Sequence, residues 1–177
     1  LFVTIIAIFS SCNQTKKKAI PVVNENLDKK VKLGGNDLKS FSISMEGLYP
    51  ETIIYDSISD KFIVGSFRDG NIYEIDDKGA AELFIEDNLR SILGIQIDYK
   101  RNKFFALSSD IGASLNRYDK GLKKEATLRV YDLTTRKLIH TVDLTKLKQN
   151  GNHLVNGLTI DNDGNAYITD SFSPIIY

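Results

Sequence analysis

Residues 154–171 read Leu-Val-Asn-Gly-Leu-Thr-Ile-Asp-Asn-Asp-Gly-Asn-Ala-Tyr-Ile-Thr-Asp-Ser, and this stretch determines the expected fold class. Leu158 and Ile160 alternate with polar neighbours, which is the two-residue period of a strand with one buried face. Residues 162–165 supply turn chemistry, and residues 166–169 begin a second alternating strand. The stretch therefore predicts an antiparallel hairpin.

The same pattern occurs twice upstream, so the hairpin belongs to a repeat. Residues 61–66 (Lys-Phe-Ile-Val-Gly-Ser) correspond to residues 103–108 (Lys-Phe-Phe-Ala-Leu-Ser). An aspartate marks the same position in each copy, and these markers are Asp56, Asp98 and Asp161. The third copy is displaced by a polar insertion at residues 109–125.

Each copy has the size of a β-propeller blade. In the first copy we predict four strands, at residues 52–56, 62–66, 71–75 and 81–85. Four antiparallel strands in about 40 residues make one blade, and blades hide their apolar faces against one another. Residues 41–177 are therefore predicted to be an all-β, incomplete propeller of two blades and the start of a third.

The N-terminal residues indicate targeting. Residues 1–11 are apolar or small, end in Ser-Ser and precede Cys12, the single cysteine of the chain. This run is too short to span a bilayer and resembles a bacterial lipoprotein signal at residues 1–12, in which Cys12 is lipidated. The alternative is a buried first strand with an ordinary core cysteine. The first interpretation predicts a protein anchored by lipid in the bacterial envelope, on the periplasmic face of the outer membrane or at the cell surface.

Charge separates the next segment from the body. Residues 13–40 hold seven lysines and three acidic residues and lack sustained periodicity, which predicts a flexible polar tether. The remainder is mildly acidic, which argues against nucleic-acid binding, since that requires a basic face. The chain starts at Leu1 without methionine and stops at Tyr177 within an apolar run, so we expect a piece of a longer, monomeric protein.

Candidate metal ligands are found by counting back the same number of residues from each marker aspartate. The residue five positions before each marker aspartate is Glu51, Leu93 or Asn156. In a propeller, equivalent residues of successive blades point towards one axis, which would bring Glu51 and Asn156 together beside an apolar Leu93. Carboxylate and amide oxygens are ligands that Ca²⁺ accepts. The alternative is that Glu51 and Asn156 only shape turns after Pro50 and before Gly157.

These residues resemble the SMP-30/gluconolactonase/LRE-like family of six-bladed propellers. The resemblance runs from about Tyr49 to Tyr177 and rests on the order and spacing of several short motifs. The motifs are Tyr49-Pro50-Glu51, Val64-Gly65-Ser66, Gly70-Asn71-Ile72-Tyr73, Val155-Asn156-Gly157-Leu158 and Tyr167-Ile168-Thr169-Asp170-Ser171.

The resemblance implies a metal-dependent hydrolase. In that family a divalent cation, usually Ca²⁺, lies at the channel mouth, and the resemblance assigns its ligands here to Glu51 and Asn156. The expected substrates are lactones or similar small esters, and the implied general base has no assigned residue in this chain. Thr52 stands where that family usually has glycine, and Leu93 offers no ligand from the second blade.

His153 is a further candidate, as a proton carrier at the channel rim, although the alternative is an ordinary loop histidine. Asp170 follows an apolar strand and is expected to cap the turn at Ser171, although the alternative is a site residue. Asp161 begins a run that resembles a calcium loop, but Phe172 occupies the twelfth position, which excludes an EF-hand. The competing function is a non-catalytic propeller lipoprotein that binds a small ligand or a partner protein.

Overall fold

The computed structural model describes residues 32–33, 36–37, 40–43, 45–87, 89–116 and 122–177. The chain divides into two units, residues 1–40 and 41–177. In the first unit, strand β1 (Lys32–Leu33) pairs with β2 (Asn36–Asp37) in an antiparallel hairpin. The predicted signal at residues 1–12 with Cys12 lies outside the described residues, as does nearly all of the predicted tether.

The second unit consists of three antiparallel sheets formed by strands consecutive in sequence. Sheet 1 contains β3 (Pro50–Asp56), β4 (Lys61–Ser66), β5 (Ile72–Ile75) and β6 (Ala81–Ile85). Sheet 2 contains β7 (Ser91–Asp98), β8 (Lys103–Ser109), β9 (Ala126–Asp132) and β10 (Leu138–Asp143). Sheet 3 contains β11 (Val155–Ile160), β12 (Ala166–Asp170) and β13 (Ile175–Ile176). The all-β fold and the hairpin at residues 154–171 are confirmed.

Helix is nearly absent from the described residues. Two short 3₁₀ turns occur, at Tyr99–Arg101 after β7 and at Leu144–Lys146 after β10. None of the described helical turns has the length and apolarity that crossing a membrane requires. Each of the three sheets is open in the described part of the chain, so ring closure is not observed.

Sheet 2 lies between the other two sheets because its side chains alternate between two cores. Phe104 and Ala106 of β8 face sheet 1, where they join a cluster that includes Ile63. Their neighbours Phe105 and Leu107 face sheet 3 and join a second cluster. Successive strand residues point to opposite faces, so a strand buried on both sides is apolar on both faces, as residues 104–107 of β8 are.

The first strands of the sheets meet at this stack. Strand β7 packs against β3 and β4 on one side and against β11 on the other. A Cβ atom at Gly65 of β4 would lie 2.4 Å from Cγ2 of Ile92 in β7. Sheets 1 and 2 therefore approach each other so closely that only glycine fits at position 65.

The marker aspartates end the first strand of each sheet. Asp56 and Asp98 are the last residues of β3 and β7, and Asp161 directly follows β11. Each carboxylate accepts backbone N–H groups of the turn that follows it, for example the N–H of Ile58 for Asp56 at 3.0 Å. The repeat therefore arises from a shared strand-ending device, an aspartate that satisfies the turn.

Candidate functional site

Each first strand carries a β-bulge at the position that the repeat selects. In sheet 1 the register shifts between Pro50 and Thr52, so the bulge falls on Glu51. In sheets 2 and 3 it falls on Leu93 and Asn156. Bulges re-aim side chains and are enriched beside binding sites. The three candidate positions are therefore equivalent in local geometry as well as in sequence.

The three bulge residues differ in their surroundings. Leu93 is buried, with 6% of its surface exposed, whereas Glu51 and Asn156 are exposed. Glu51 makes no hydrogen bond or ion pair with any described residue, and the Asn156 amide oxygen accepts a hydrogen bond from the Thr169 hydroxyl at 3.3 Å. Glu51 and Asn156 are therefore exposed polar residues, and β7, whose own bulge residue is the buried Leu93, lies between their strands.

The donor chemistry at these positions suits a hard cation. A free carboxylate and an amide oxygen are both oxygen donors, and Ca²⁺ binds six to eight such ligands. No group of three or more His, Cys, Asp or Glu side chains arranged for a metal occurs among the described residues. The donor chemistry of Glu51 and Asn156 is therefore compatible with Ca²⁺, although two ligands alone would not hold the ion.

His153 lies in a different environment from the bulge residues. It is 3% exposed, and its Nδ1 lies 2.8 Å from Oδ2 of Asp170, which is 4% exposed. The Tyr177 hydroxyl donates to the same carboxylate oxygen at 3.1 Å. Position 153 is therefore a buried histidine that is paired with a carboxylate.

Asp170 is the hub of this cluster. Its Oδ1 accepts the backbone N–H groups of Leu154 and Phe172, both at 3.0 Å, so the predicted turn-capping role is observed. Burial would raise the pKa of the Asp170 carboxyl, but the hydrogen bonds from Leu154, His153, Phe172 and Tyr177 together hold that pKa below its ordinary value. The ionised carboxylate accepts a hydrogen bond from Nδ1–H of His153, so Nε2 is the ring nitrogen that does not contact Asp170.

His153 also lines a cleft on the surface of the described part of the chain. This cleft has a volume of about 600 Å³ and lies beside the 3₁₀ turn after β10 and the following loop. Its walls are formed by Lys124, Asp143, Thr145, Lys146, Lys148, Gln149, Asn150, Gly151 and His153. The sequence alone gave no sign that His153 pairs with Asp170. That contact depends on the β11–β12 hairpin, in which Val155 pairs with Asp170.

Comparison with known proteins assigns no family to the chain. No protein-family model matches it, and no curated protein sequence matches it. The resemblance to the SMP-30/gluconolactonase/LRE-like family therefore rests on the short motifs alone.

Proposed function

We propose that this protein is a calcium-dependent hydrolase of lactones or similar small esters, built on a propeller of which the three sheets form consecutive blades. One observation carries the proposal. Glu51, Leu93 and Asn156 occupy the same bulged position of three neighbouring first strands. In a propeller, equivalent positions of successive blades face one axis, so the exposed carboxylate and the exposed amide would face a common opening.

The stacking of the sheets supports the propeller arrangement. Sheets 1 and 2 have four strands and sheet 3 has three, and these consecutive sheets pack against one another through their first strands, as successive blades do. Hydrogen bonds between the turns that follow the first strands also join sheet 1 to sheet 2 and sheet 2 to sheet 3. Tyr99, after the first strand of sheet 2, donates to Asp56 of sheet 1 at 2.8 Å, and Arg101 of the same turn donates to the Asn162 carbonyl of sheet 3 at 2.8 Å.

The residues divide the work of hydrolysis as follows. Glu51 and Asn156 would hold the cation through their side-chain oxygens, with water completing its coordination. When bound, Ca²⁺ supplies Lewis acidity that polarises an ester carbonyl and orients water. Leu93 forms an apolar wall between the two polar bulges and limits the water that reaches that side. The carboxylate of Glu51 makes no hydrogen bond within the described part of the chain, so it is available to bind the cation.

Lactone turnover tests this function. The full chain is assayed for hydrolysis of a γ- or δ-lactone before and after treatment with EDTA and after Ca²⁺ is restored. We expect EDTA to abolish turnover, Ca²⁺ to restore it, and Glu51→Gln to lower it at least tenfold. Turnover that survives EDTA contradicts the metal mechanism, and Ca²⁺ binding without turnover favours the non-catalytic ligand-binding alternative.

We also propose that the protein is held at the bacterial envelope by lipid on Cys12. The support is the apolar run that ends in Ser-Ser before this single cysteine. Fractionation of cells that express the wild-type chain and Cys12→Ala tests the anchor. The wild type is expected in the membrane fraction and the variant in the soluble fraction; equal distribution of the two proteins contradicts lipidation.

A further inference from the structure

The cleft beside His153 has the charge of an anion site. Three of its lining residues are lysines, Lys124, Lys146 and Lys148, and Asp143 is the one carboxylate among the lining residues. That carboxylate accepts hydrogen bonds from the backbone N–H and the hydroxyl of Thr145 and lies 3.9 Å from the Lys146 ammonium. The cleft therefore carries an excess of positive charge at neutral pH.

Two of the lysines are held in place by neutral partners. The Lys124 ammonium donates to the Gly151 carbonyl at 2.8 Å and to the Asn152 side chain at 3.1 Å. The Lys148 ammonium donates to the hydroxyl of Ser173. None of these partners neutralises the charge, so both ammonium groups stay available to attract an anion.

His153 adds its second ring nitrogen to this positive cleft. Its Nδ1 is engaged by Asp170 and by the Tyr177 hydroxyl, at 2.8 and 3.3 Å, whereas its Nε2 has no hydrogen-bond partner among the described residues. Since the ring lines the cleft, a ligand bound there can form a hydrogen bond with Nε2.

We propose that this cleft binds a small oxyanion that retains a hydroxyl proton. The anionic oxygens face Lys124 and Lys148, and the hydroxyl of the ligand donates to Nε2 of His153. Asp170 and Tyr177 act as positioning residues, because they fix the ring and its tautomer without contacting the ligand. The site uses none of the bulge residues assigned to calcium, so it stands or falls independently of the hydrolase proposal.

The test compares two anions of similar size that differ in this proton. Inorganic phosphate keeps a hydroxyl proton at pH 7, and sulfate does not. The full chain, labelled with ¹⁵N in its histidines, is titrated with each anion at constant ionic strength while the ring nitrogen signals of His153 are followed by NMR. We expect a saturable shift of Nε2 with phosphate and at least fivefold weaker binding of sulfate.

Variants assign the binding to the cleft. Lys124→Ala combined with Lys148→Ala is expected to weaken phosphate binding about five- to tenfold, because two favourable charge contacts are lost. The matched control is Lys137→Ala, which removes an exposed charge at the far end of β10 and is expected to leave the affinity unchanged. His153→Gln is expected to remove the preference for phosphate over sulfate.

Three results overturn the proposal. They are the absence of a saturable shift at Nε2, equal affinities for phosphate and sulfate in the wild type, and equal weakening by Lys137→Ala and by the double lysine variant. Because the two lysines are anchored at the surface, the double variant is expected to fold. The test therefore holds even where His153→Gln does not fold.

Discussion

Residue 170 shows how one side chain joins several parts of the fold. Its carboxylate accepts two backbone N–H groups, from Leu154 and Phe172, and two side-chain donors, His153 and Tyr177. These donors belong to the segment before β11, the turn after β12 and the end of the chain. A buried carboxylate is tolerated there because each of its oxygens has two partners.

We predict that Asp170→Asn lowers the free energy of unfolding at pH 7 by about 3 kcal/mol, the typical cost of disrupting a buried charged network. The folded pKa of Asp170 lies below its ordinary value, so its contribution to stability is present above that ordinary value and is lost as pH falls through the folded pKa. The gap between wild type and variant should therefore shrink as pH falls below about 4.

Urea unfolding at pH 7 and at pH 3 measures this gap. Asp163→Asn is the control, because Asp163 is exposed and its carboxylate has no hydrogen-bond partner among the described residues. A gap of the same size at both pH values would contradict the role given to the ionised carboxylate.

The sequence predicted a role for Asp170 and singled out His153, but it did not predict that the two side chains contact each other. The alternation around Ile168 places Asp170 at a strand end, where a turn cap is expected, and that role is observed. The burial of His153 was not predictable, because a lone loop histidine gives no signal of its partner. Its pairing needs the register of β11 against β12, which the bulge at Asn156 shifts.

At the scale of the strands, the repeat in the sequence reflects a hydrogen-bonding pattern that recurs at the end of each first strand. The marker aspartates were recognised by spacing, and each of them satisfies the turn that ends a first strand. The bulges at Glu51, Leu93 and Asn156 left no signal in residue type. Only their constant distance from the aspartates marks them.

The close approach of sheets 1 and 2 is tested by a double-mutant cycle. Gly65→Ala places a methyl group 2.4 Å from Ile92 Cγ2 and is expected to cost about 1–3 kcal/mol. Ile92→Ala leaves a cavity at a fully buried position and is expected to cost about 2–5 kcal/mol. In the double variant the contact with Ile92 Cγ2 disappears, whereas those with Thr52 Cγ2 at 2.7 Å and with the Cβ of residue 92 at 2.9 Å remain. The clash is partly relieved, so the combined loss should be smaller than the sum.

Thermal or urea unfolding of the four proteins of the cycle gives the coupling free energy. A coupling of at least about 0.5 kcal/mol in the compensating direction is expected for residues in contact. Strict additivity of the two losses would show that positions 65 and 92 do not touch.

The hydrogen bond between the turns of sheets 1 and 2 is expected to contribute less to stability than the packing of Gly65 against Ile92. Tyr99→Phe removes the hydrogen bond from sheet 2 to Asp56 of sheet 1, and we predict a loss of about 1 kcal/mol in the free energy of unfolding. Burial would raise the pKa of Asp56, but hydrogen bonds from the turn and from Tyr99 hold it below its ordinary value. The pKa of Asp56, followed by NMR, should therefore rise in the variant; an unchanged pKa would contradict the link.

For the whole molecule, the sequence predicted strands and sheets because each has a local signal. The period of two, the turn residues and the repeat identify antiparallel four-stranded units, and the structure contains them. Ring closure has no local signal, since it depends on how faces separated by many residues meet. The stacking of sheet 2 between its neighbours likewise emerges from two-sided apolar strands such as β8 rather than from any motif.

The central claim at this scale is that Glu51 and Asn156, in sheets 1 and 3, serve one cation. Calorimetric titration of the full chain with Ca²⁺ tests this claim most directly. The control is Glu82→Gln, which removes an exposed charge from β6, the outer strand of the sheet that contains Glu51. We predict one Ca²⁺ bound per chain in the wild type and in Glu82→Gln, and at least tenfold weaker binding in both Glu51→Gln and Asn156→Ala. A wild-type chain that binds no Ca²⁺, or variants at positions 51 and 156 that bind it as the wild type does, would contradict the claim.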